Sequence, residues 1–257
     1  MELLAAPHPY LLLTVLVFLA GFVDSIAGGG GLITLPAYLA QGVSPFLLLG
    51  TNKLSSSMGT LVAAAKFLRE ARFKKDFLFI IVVLAAGGSF LGARAVALIP
   101  PEAIRYLLIV SLPPIAVFLM LKRRFGVADT SARHSPNALL ARSSGLSFAV
   151  SFYDGMLGPG TGTFLAIGYA RFCGFDLLRS TALAKLLNLA SNIAALVAFL
   201  QLGRVNVKLG LAMGLAGMAG NYAGSHLALK KGAWVIRPML ILICAALLVK
   251  IAWDMVR

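Results

Sequence analysis

The sequence predicts an all-α polytopic membrane protein built from two homologous repeats, each of four crossings or five elements, with helices interrupted by Gly and Pro. Three observations predict it. The 257-residue chain is 60% hydrophobic and only 12% charged, about half the charged share of a soluble domain. Apolar stretches of about 20 residues, long enough for a helix to cross a hydrocarbon core of about 30 Å, recur along nearly the whole length. The same order of aspartate, glycine and lysine then returns in the second half. The alternating short strands of a β-barrel are missing from the pattern.

The first apolar run, residues 9–40, is preceded by "MELLAAPHPY", which carries Glu2 and no basic residue, so it reads as a retained helix and not a cleaved signal. It is broken by "DSIAGGGGLITLP", Asp24 to Pro36. Runs at 45–68, 77–98 and 101–121 complete the first repeat, residues 1–121. A polar, charged linker at 122–142 follows. The second repeat, 143–257, holds a run at 143–170 broken by "GPGTG" (Gly158 to Gly162), then runs at 178–200, 209–229 and 234–253.

A net charge of +14 suggests nucleic acid in a soluble protein, but here the basic residues gather at the ends of apolar runs. "KFLREARFKK" (Lys66 to Lys75), "KRRFG" (Lys122 to Gly126) with Arg133 and Arg142, and the pair Lys230 and Lys231 are such clusters. The positive-inside rule puts them beside the cytoplasmic ends of membrane segments. No domain-sized soluble region offers a basic surface to nucleic acid. Cys173 and Cys244 lie in apolar surroundings and read as packing residues. No metal-ligand spacing and no cofactor motif occurs.

The repeat is legible residue by residue. At an offset of 130, "FVDSIAGGGG" falls on "FYDGMLGPGT", pairing Asp24 with Asp154, Gly28 with Gly158 and Gly30 with Gly160. At an offset of 132, Lys53 falls on Lys185, Arg72 on Arg204, Gly88 and Gly92 on Gly220 and Gly224, and Ile104-Arg105 on Ile236-Arg237.

Membrane repeats broken at matching positions are the pattern of a secondary transporter whose site lies between the repeats near the bilayer midplane. Gly28, Gly29, Gly30 and Gly31, and Gly158, Gly160 and Thr161, mark the breaks. Unpaired backbone at membrane depth survives only when buried in protein or lining a wet cavity. Half-helices starting there are expected to point free N–H groups and a positive dipole end at an anion. The competing reading is that the glycines only permit close helix packing or a hinge.

Ionisable residues inside apolar runs are costly and mark function by default. Lys53 heads the stripe Lys53, Ser56, Ser57, Thr60, and Lys185 heads Lys185, Asn188, Asn192; both follow one helical face. With Thr51 and Asn52 they form a polar lining that can replace an anion's water. Asp24 and Asp154 are candidates for gating or proton coupling. The plainer alternative pairs Asp24 with Lys53 and Asp154 with Lys185 as structural salt bridges.

"DSIAGGGGLITLP", "GTNKLSSS", "FYDGMLGPGTG" and "AKLLNLASN" resemble the signature segments of the TauE/SafE family, the four-TMS sulfite exporters, and the resemblance covers almost the whole chain. It implies a polytopic inner-membrane permease, with family members linked to export of sulfite and of organic sulfur anions such as sulfoacetate. The matching positions are Asp24, Gly28 to Gly31, Asn52, Lys53, Asp154, Gly158, Gly160, Lys185 and Asn188.

The expected function is therefore export of a small anion, a sulfur oxyanion or organosulfonate, by alternating access between the two repeats. The substrate-binding set is Lys53, Lys185, Asn52, Asn188, Gly28 to Gly31, Gly158, Gly160 and Thr161; the partners are the anion and the bilayer, and whether a proton is a coupling ion stays open. The rivals are an intramembrane aspartyl protease using Asp24 and Asp154, which lacks the G-x-G-D partner motif, and a purely structural membrane protein. Topology stays open: single crossings at the breaks give parallel repeats, and hairpins meeting at the glycines give inverted ones.

Overall fold

A computed structural model describes residues 9–100, 103, 128–232 and 234–235. Among them are eight α-helices, one 3-10 turn at Ser131–Arg133 and no strand. The helices are α1 (Pro9–Ala27), α2 (Gly31–Ala40), α3 (Pro45–Glu70), α4 (Lys75–Val96), α5 (Pro136–Met156), α6 (Thr161–Phe172), α7 (Leu177–Gln201) and α8 (Val207–Lys231). The predicted runs at 101–121 and 234–253, with Arg105, Lys122, Arg237 and Cys244, fall outside the described residues except at 103, 234 and 235.

Helix starts are written in the sequence. Ser44 accepts from Phe46 N and Ser135 from Ala138 N, each followed by a proline in the first turn. Asp176 accepts from Arg179 N at 2.8 Å and Asn206 from Leu209 N at 3.1 Å. These side chains satisfy backbone donors that the first turn leaves free.

The helices 10–27, 75–96 and 177–201 are long and apolar enough to cross a membrane. By contrast α2, with 10 residues, reaches only about 15 Å at 1.5 Å per residue. It folds back along α1 and does not continue it. A Cβ built on Gly30 would lie 2.8 Å from Asp24 Cβ and 3.0 Å from Ala20 O, and Leu35 and Tyr38 share a core cluster with Leu13 and Val17. The second break repeats this: the Phe164 ring lies tilted against Tyr153 with centroids 5.6 Å apart, and Tyr169 OH donates to Ser143 O. Each break is the tip of a helical hairpin.

Contact registers give the helix directions. Gly88 and Gly92 of α4 lie on Phe148 O and Phe152 O of α5, so these helices run parallel. Gly220 and Gly224 of α8 lie in the same way on Phe18 O and Phe22 O of α1. Small residues four apart let membrane helix backbones approach this closely. Likewise α8 runs parallel to α3 (Gly210 on Leu54, Gly214 on Met58), and α4 runs parallel to α7 (Ser89 to Ser191 O, Arg94 to Gln201). Among the long helices α3 and α7 cross in opposite senses, with Gly50 on Phe199 and Thr60 beside Asn192. Thus α1, α3 and α8 point one way and α4, α5 and α7 the other, which is the helix arrangement of the inverted, hairpin topology.

The helices interlock. The last described helix of each sequence half packs on the other half: α4 on α5 and α7, α8 on α1 and α3. Pairing α1 with α5, α2 with α6, α3 with α7 and α4 with α8 maps each of these contacts onto another.

The outside is apolar, and the interior combines apolar clusters with buried polar side chains. Phe79 is 71% and Leu215 65% exposed, as suits a lipid-facing surface, while Ser25, Thr51, Ser89, Ser143, Ser147 and Asn192 are buried. One end of the bundle gathers the linker and two loops: Arg179 bonds Asp129 at 2.6 Å and Arg72 O at 3.4 Å, and Thr130 N donates to Gly174 O. At the opposite end Arg204 donates to Ala97 O and lies over the Phe46 ring.

Candidate functional site

The two hairpin tips touch each other at the centre of the bundle. Gly28 has φ +80°, a left-handed conformation that glycine adopts freely, and a Cβ there would overlap the Gly162 backbone. Thr163 N and Oγ1 both donate to Gly28 O, and Oγ1 also donates to Ala27 O at 2.7 Å. Gly158 and Gly160 are left-handed as well, at φ +92° and +80°.

Part of the backbone at the breaks is already engaged. Gly30 N donates to Asp24 Oδ1 at 3.1 Å, Thr161 N to Gly158 O, and Thr163 N to Gly28 O. Of the N–H groups expected to stand open at the breaks, these three are taken up inside the protein. A carboxylate stabilised by a positive helix end is the ordinary reason for such a placement, and the anion at the head of α2 is the protein's own Asp24.

The lysines exchange partners between halves. Lys53 Nζ lies 2.8 Å from Asp154 Oδ2 and donates to Asn192 Oδ1 at 3.0 Å. Lys185 Nζ lies 3.4 Å from Asp24 Oδ2 and donates to Asp24 O. The expected pairing within each half, Asp24 with Lys53 and Asp154 with Lys185, is therefore replaced by pairing across them. The cause is geometric: α3 and α7 cross antiparallel, which carries each lysine to the other hairpin.

The two pairs differ. Asp154 is 2% exposed, and Thr161 and Ser191 hydroxyls also donate to its carboxylate. Asp24 is 18% exposed and faces a cavity. The positions matching Thr161 and Ser191 in the first half are Gly31 and Gly59, which have no hydroxyl to give.

That cavity holds about 510 Å3 of empty space, its opening included, and α1, α2, α3, α5, α7 and α8 all contribute to its wall. Of the sequence-predicted residues it brings together Asp24, Gly30, Gly31, Asn52, Lys53, Asp154, Gly158 and Asn188. Lys185, Gly28, Gly29, Gly160 and Thr161 are not on its wall; they lie behind it, in the hairpins and the second ion pair. Among its amides, Thr34 donates to Asn52 Oδ1 at 2.6 Å and Asn192 donates to Asn188 Oδ1 at 3.2 Å. Both oxygens are engaged, and no side-chain hydrogen bond among the described residues uses Asn52 Nδ2 or Asn188 Nδ2.

A family model described as "Sulfite exporter TauE/SafE" matches residues 13–251. The chain belongs to this family. Among its relatives, "Probable membrane transporter protein ORF9" of Sinorhizobium sp is 38% identical over 247 residues, 96% of this chain and 94% of that protein. "Probable membrane transporter protein YfcA" of Escherichia coli strain K12 is 38% identical over 249 residues, 95% and 91% of the two chains. A Haemophilus influenzae protein named in the same way is 33% identical over 237 residues, 92% of each. No solved structure matches. This TauE/SafE protein is thus a membrane transporter and not an enzyme.

Sequence reasoning about this TauE/SafE chain placed Thr51 in the lining; instead it is fully buried and accepts from Asn206 N, tying α3 to the α7–α8 loop. It missed Thr34, Ser55 and Asn221, which line the cavity. Thr34 and Ser55 sit one helical turn or less from flagged residues, and Asn221 is a polar amide within the glycine-rich α8.

Proposed function

We propose that this protein exports a small anion, a sulfur oxyanion or organosulfonate such as sulfite or sulfoacetate, across the inner membrane as a multi-pass carrier. The observation that carries the reading is the polar cavity in which Lys53 stands beside the uncommitted Nδ2 donors of Asn52 and Asn188. Amide donors replace water around an oxyanion, and the ammonium supplies countercharge.

The charge balance shapes the mechanism. Lys53 and Lys185 are each already neutralised by an aspartate, so an entering anion adds a charge at membrane depth, which is strongly unfavourable. A proton on Asp24, the more exposed carboxylate, removes that excess and loosens its hold on the head of α2 beside the anion. Asp24 thus gates the site, while Asp154, held by two hydroxyls and Lys53, fastens the second hairpin. The proton need not travel, because an inside-negative potential alone drives an anion outward by about 2.3 kcal/mol per charge per 100 mV.

Alternating access fits two mixed groups, α1, α3 and α8 against α4, α5 and α7, moving across the α3–α7 contact. The sequence halves are interlocked and do not separate as bodies. The basic residues Arg69, Arg72, Lys74, Arg133, Arg171 and Arg179 gather at the linker end, which the positive-inside rule assigns to the cytoplasm. The test is efflux from liposomes holding the purified protein and loaded in parallel with sulfite, thiosulfate, sulfoacetate, sulfate or chloride under an inside-negative potential. Selective efflux of a sulfur anion, lost in Lys53→Gln, is expected. Undiminished flux in both Lys53→Gln and Lys185→Gln refutes the site.

A further inference from the structure

We infer that Asn192 is a positioning residue for the transported anion: it passes the direction of the Lys53 ammonium on to Asn188, so that Asn188 turns an N–H, and not its carbonyl, toward the cavity. This rests on the anion-transport reading and adds the residue that sets a donor of that site. Asn192 is 3% exposed and lies on the cavity wall where α7 crosses α3. Its Oδ1 accepts from Lys53 Nζ at 3.0 Å, and its Nδ2 donates to Thr60 Oγ1 and to Asn188 Oδ1, both at 3.2 Å. Both hydrogens of Nδ2 are thus spent inside the protein. Asn192 has none left for an anion and acts on it through its neighbours.

These bonds can run in one direction only. An ammonium donates and never accepts, so Lys53 holds Asn192 with its oxygen toward Nζ and its nitrogen toward Asn188, one turn earlier on α7. Asn188 must meet that nitrogen with Oδ1, which leaves its own Nδ2 for the other side. Among the described residues only Ser151 Oγ and Asn221 Oδ1 are enclosed side-chain atoms without a partner. Asn188 Nδ2 has no partner and is not one of these, so it keeps accessible surface, and its residue lines the cavity. With Asn192 turned over, Asn188 would offer its carbonyl oxygen at the same place, and an anion would meet an acceptor.

The first half has no equivalent chain. The positions that match Asn188 and Asn192 there are Ser56 and Thr60, hydroxyls that rotate and can either donate or accept. The matching lysine, Lys185, is spent on Asp24, donating to its backbone oxygen and lying 3.4 Å from Oδ2. The relay therefore lies on α7, and the lysine that orients it reaches over from α3.

The test is a double-mutant cycle on Asn188 and Asn192 in liposomes holding the full-length protein. It reads KM and maximal rate for efflux of sulfite, thiosulfate and sulfoacetate, each titrated separately. A hydrogen bond to a charged group is worth about 10- to 150-fold in affinity, so Asn188→Leu should raise KM by that factor for an anion that the wild type carries. Asn192→Leu leaves Asn188 in place but free to turn. With the donor presented about half the time or less, KM should rise at least about twofold and stay short of the Asn188→Leu value. In the double variant KM should equal that of Asn188→Leu alone, because a residue that acts through Asn188 then has nothing to act on. Asn192→Ala provides the same cycle if the leucine variant does not elute as a monodisperse peak. Effects that multiply in the double variant, or an Asn192 effect confined to the maximal rate, make Asn192 a packing residue and overturn the relay while anion transport stands. An unchanged KM in Asn188→Leu or in Asn192→Leu overturns it as well. Flux of none of the three anions through the wild type overturns the sulfur-anion reading and the relay with it.

Discussion

Replacing Lys53 by methionine tests the exchanged ion pairs directly. The substitution keeps the length of the side chain and removes the countercharge of Asp154, whose carboxylate is 2% exposed and retains only the Thr161 and Ser191 hydroxyls. Removing one partner of a buried ion pair costs about 3–5 kcal/mol. For a chain of this size each kcal/mol lowers the melting midpoint by about 2–4 °C, so the midpoint should fall by about 6–20 °C, read as loss of the monodisperse peak after heating the purified protein in detergent. Lys185→Met should cost less, because Asp24 is 18% exposed, 3.4 Å away, and keeps the Gly30 N–H. The deciding comparison is the second substitution. Adding Asp154→Asn to Lys53→Met removes the stranded charge and should restore most of the loss, whereas adding Asp24→Asn should restore none of it. Restoration by Asp24→Asn and not by Asp154→Asn would return the pairing to within each half and refute the crossed arrangement.

Gly28→Ala combines a left-handed backbone with an overlap on Gly162 and should leave little folded protein, while Gly42→Ala, at φ +76° with nothing nearby, should cost only about 1–2 kcal/mol for the backbone; yields and melting curves compare them. At the linker end, partial burial pushes the Asp129 carboxyl upward, but bonds from Ser131 and Arg179 outweigh it and hold the group below its ordinary value. A lowered folded value means stabilisation that is full above the unfolded aspartate range and lost as the pH falls through the folded one. The melting difference between wild type and Asp129→Asn should therefore be largest near neutrality and vanish in acid; the pair is exposed enough that it amounts to a few tenths of a kcal/mol, about the usual worth of such contacts. In a cysteine-free background, Lys74→Cys and Arg133→Cys should label from one side of the membrane and Gln41→Cys and Lys208→Cys from the other. Labelling of Arg133→Cys and Lys208→Cys from the same side would refute the hairpin topology.

Much of the fold was legible because its signals are local. Apolar runs, caps such as Ser44 and Asp176, and a glycine run where no straight helix survives all lie within a few residues of what they determine. Asp24, Lys53, Asp154 and Lys185 stood out because an ionisable group in an apolar run is costly wherever it ends up. Their pairing was not legible, since Lys53 and Asp154 are a hundred residues apart and their meeting depends on the sense in which α3 and α7 cross. Nor could the glycines say whether the chain continues or turns back, because left-handed Gly28 serves either path; the close approach of Gly30 to Ala20 settles it. That Gly30 N would be taken by a carboxylate six residues upstream was not legible either, although the dipole physics that favours an anion at a helix head favours Asp24 as well. Asn221 went unnoticed because a neutral amide among glycines gives no periodic signal.

The interlocked packing also sets a timetable for biosynthesis. The glycine-lined face that receives α1 is on α8, which begins at Val207, 180 residues after α1 ends at Ala27. At ribosomal speeds of about 5–20 residues per second, α1 waits about 10–35 s in the bilayer for its partner, and α4 waits in the same way, though more briefly, for α5 and α7. During that interval their contact faces are open to lipid and to neighbouring chains, so a nascent copy is most prone to mispairing before α8 arrives, and truncations that remove α8 should be cleared by quality control even though Lys53 and Asp154 are already made.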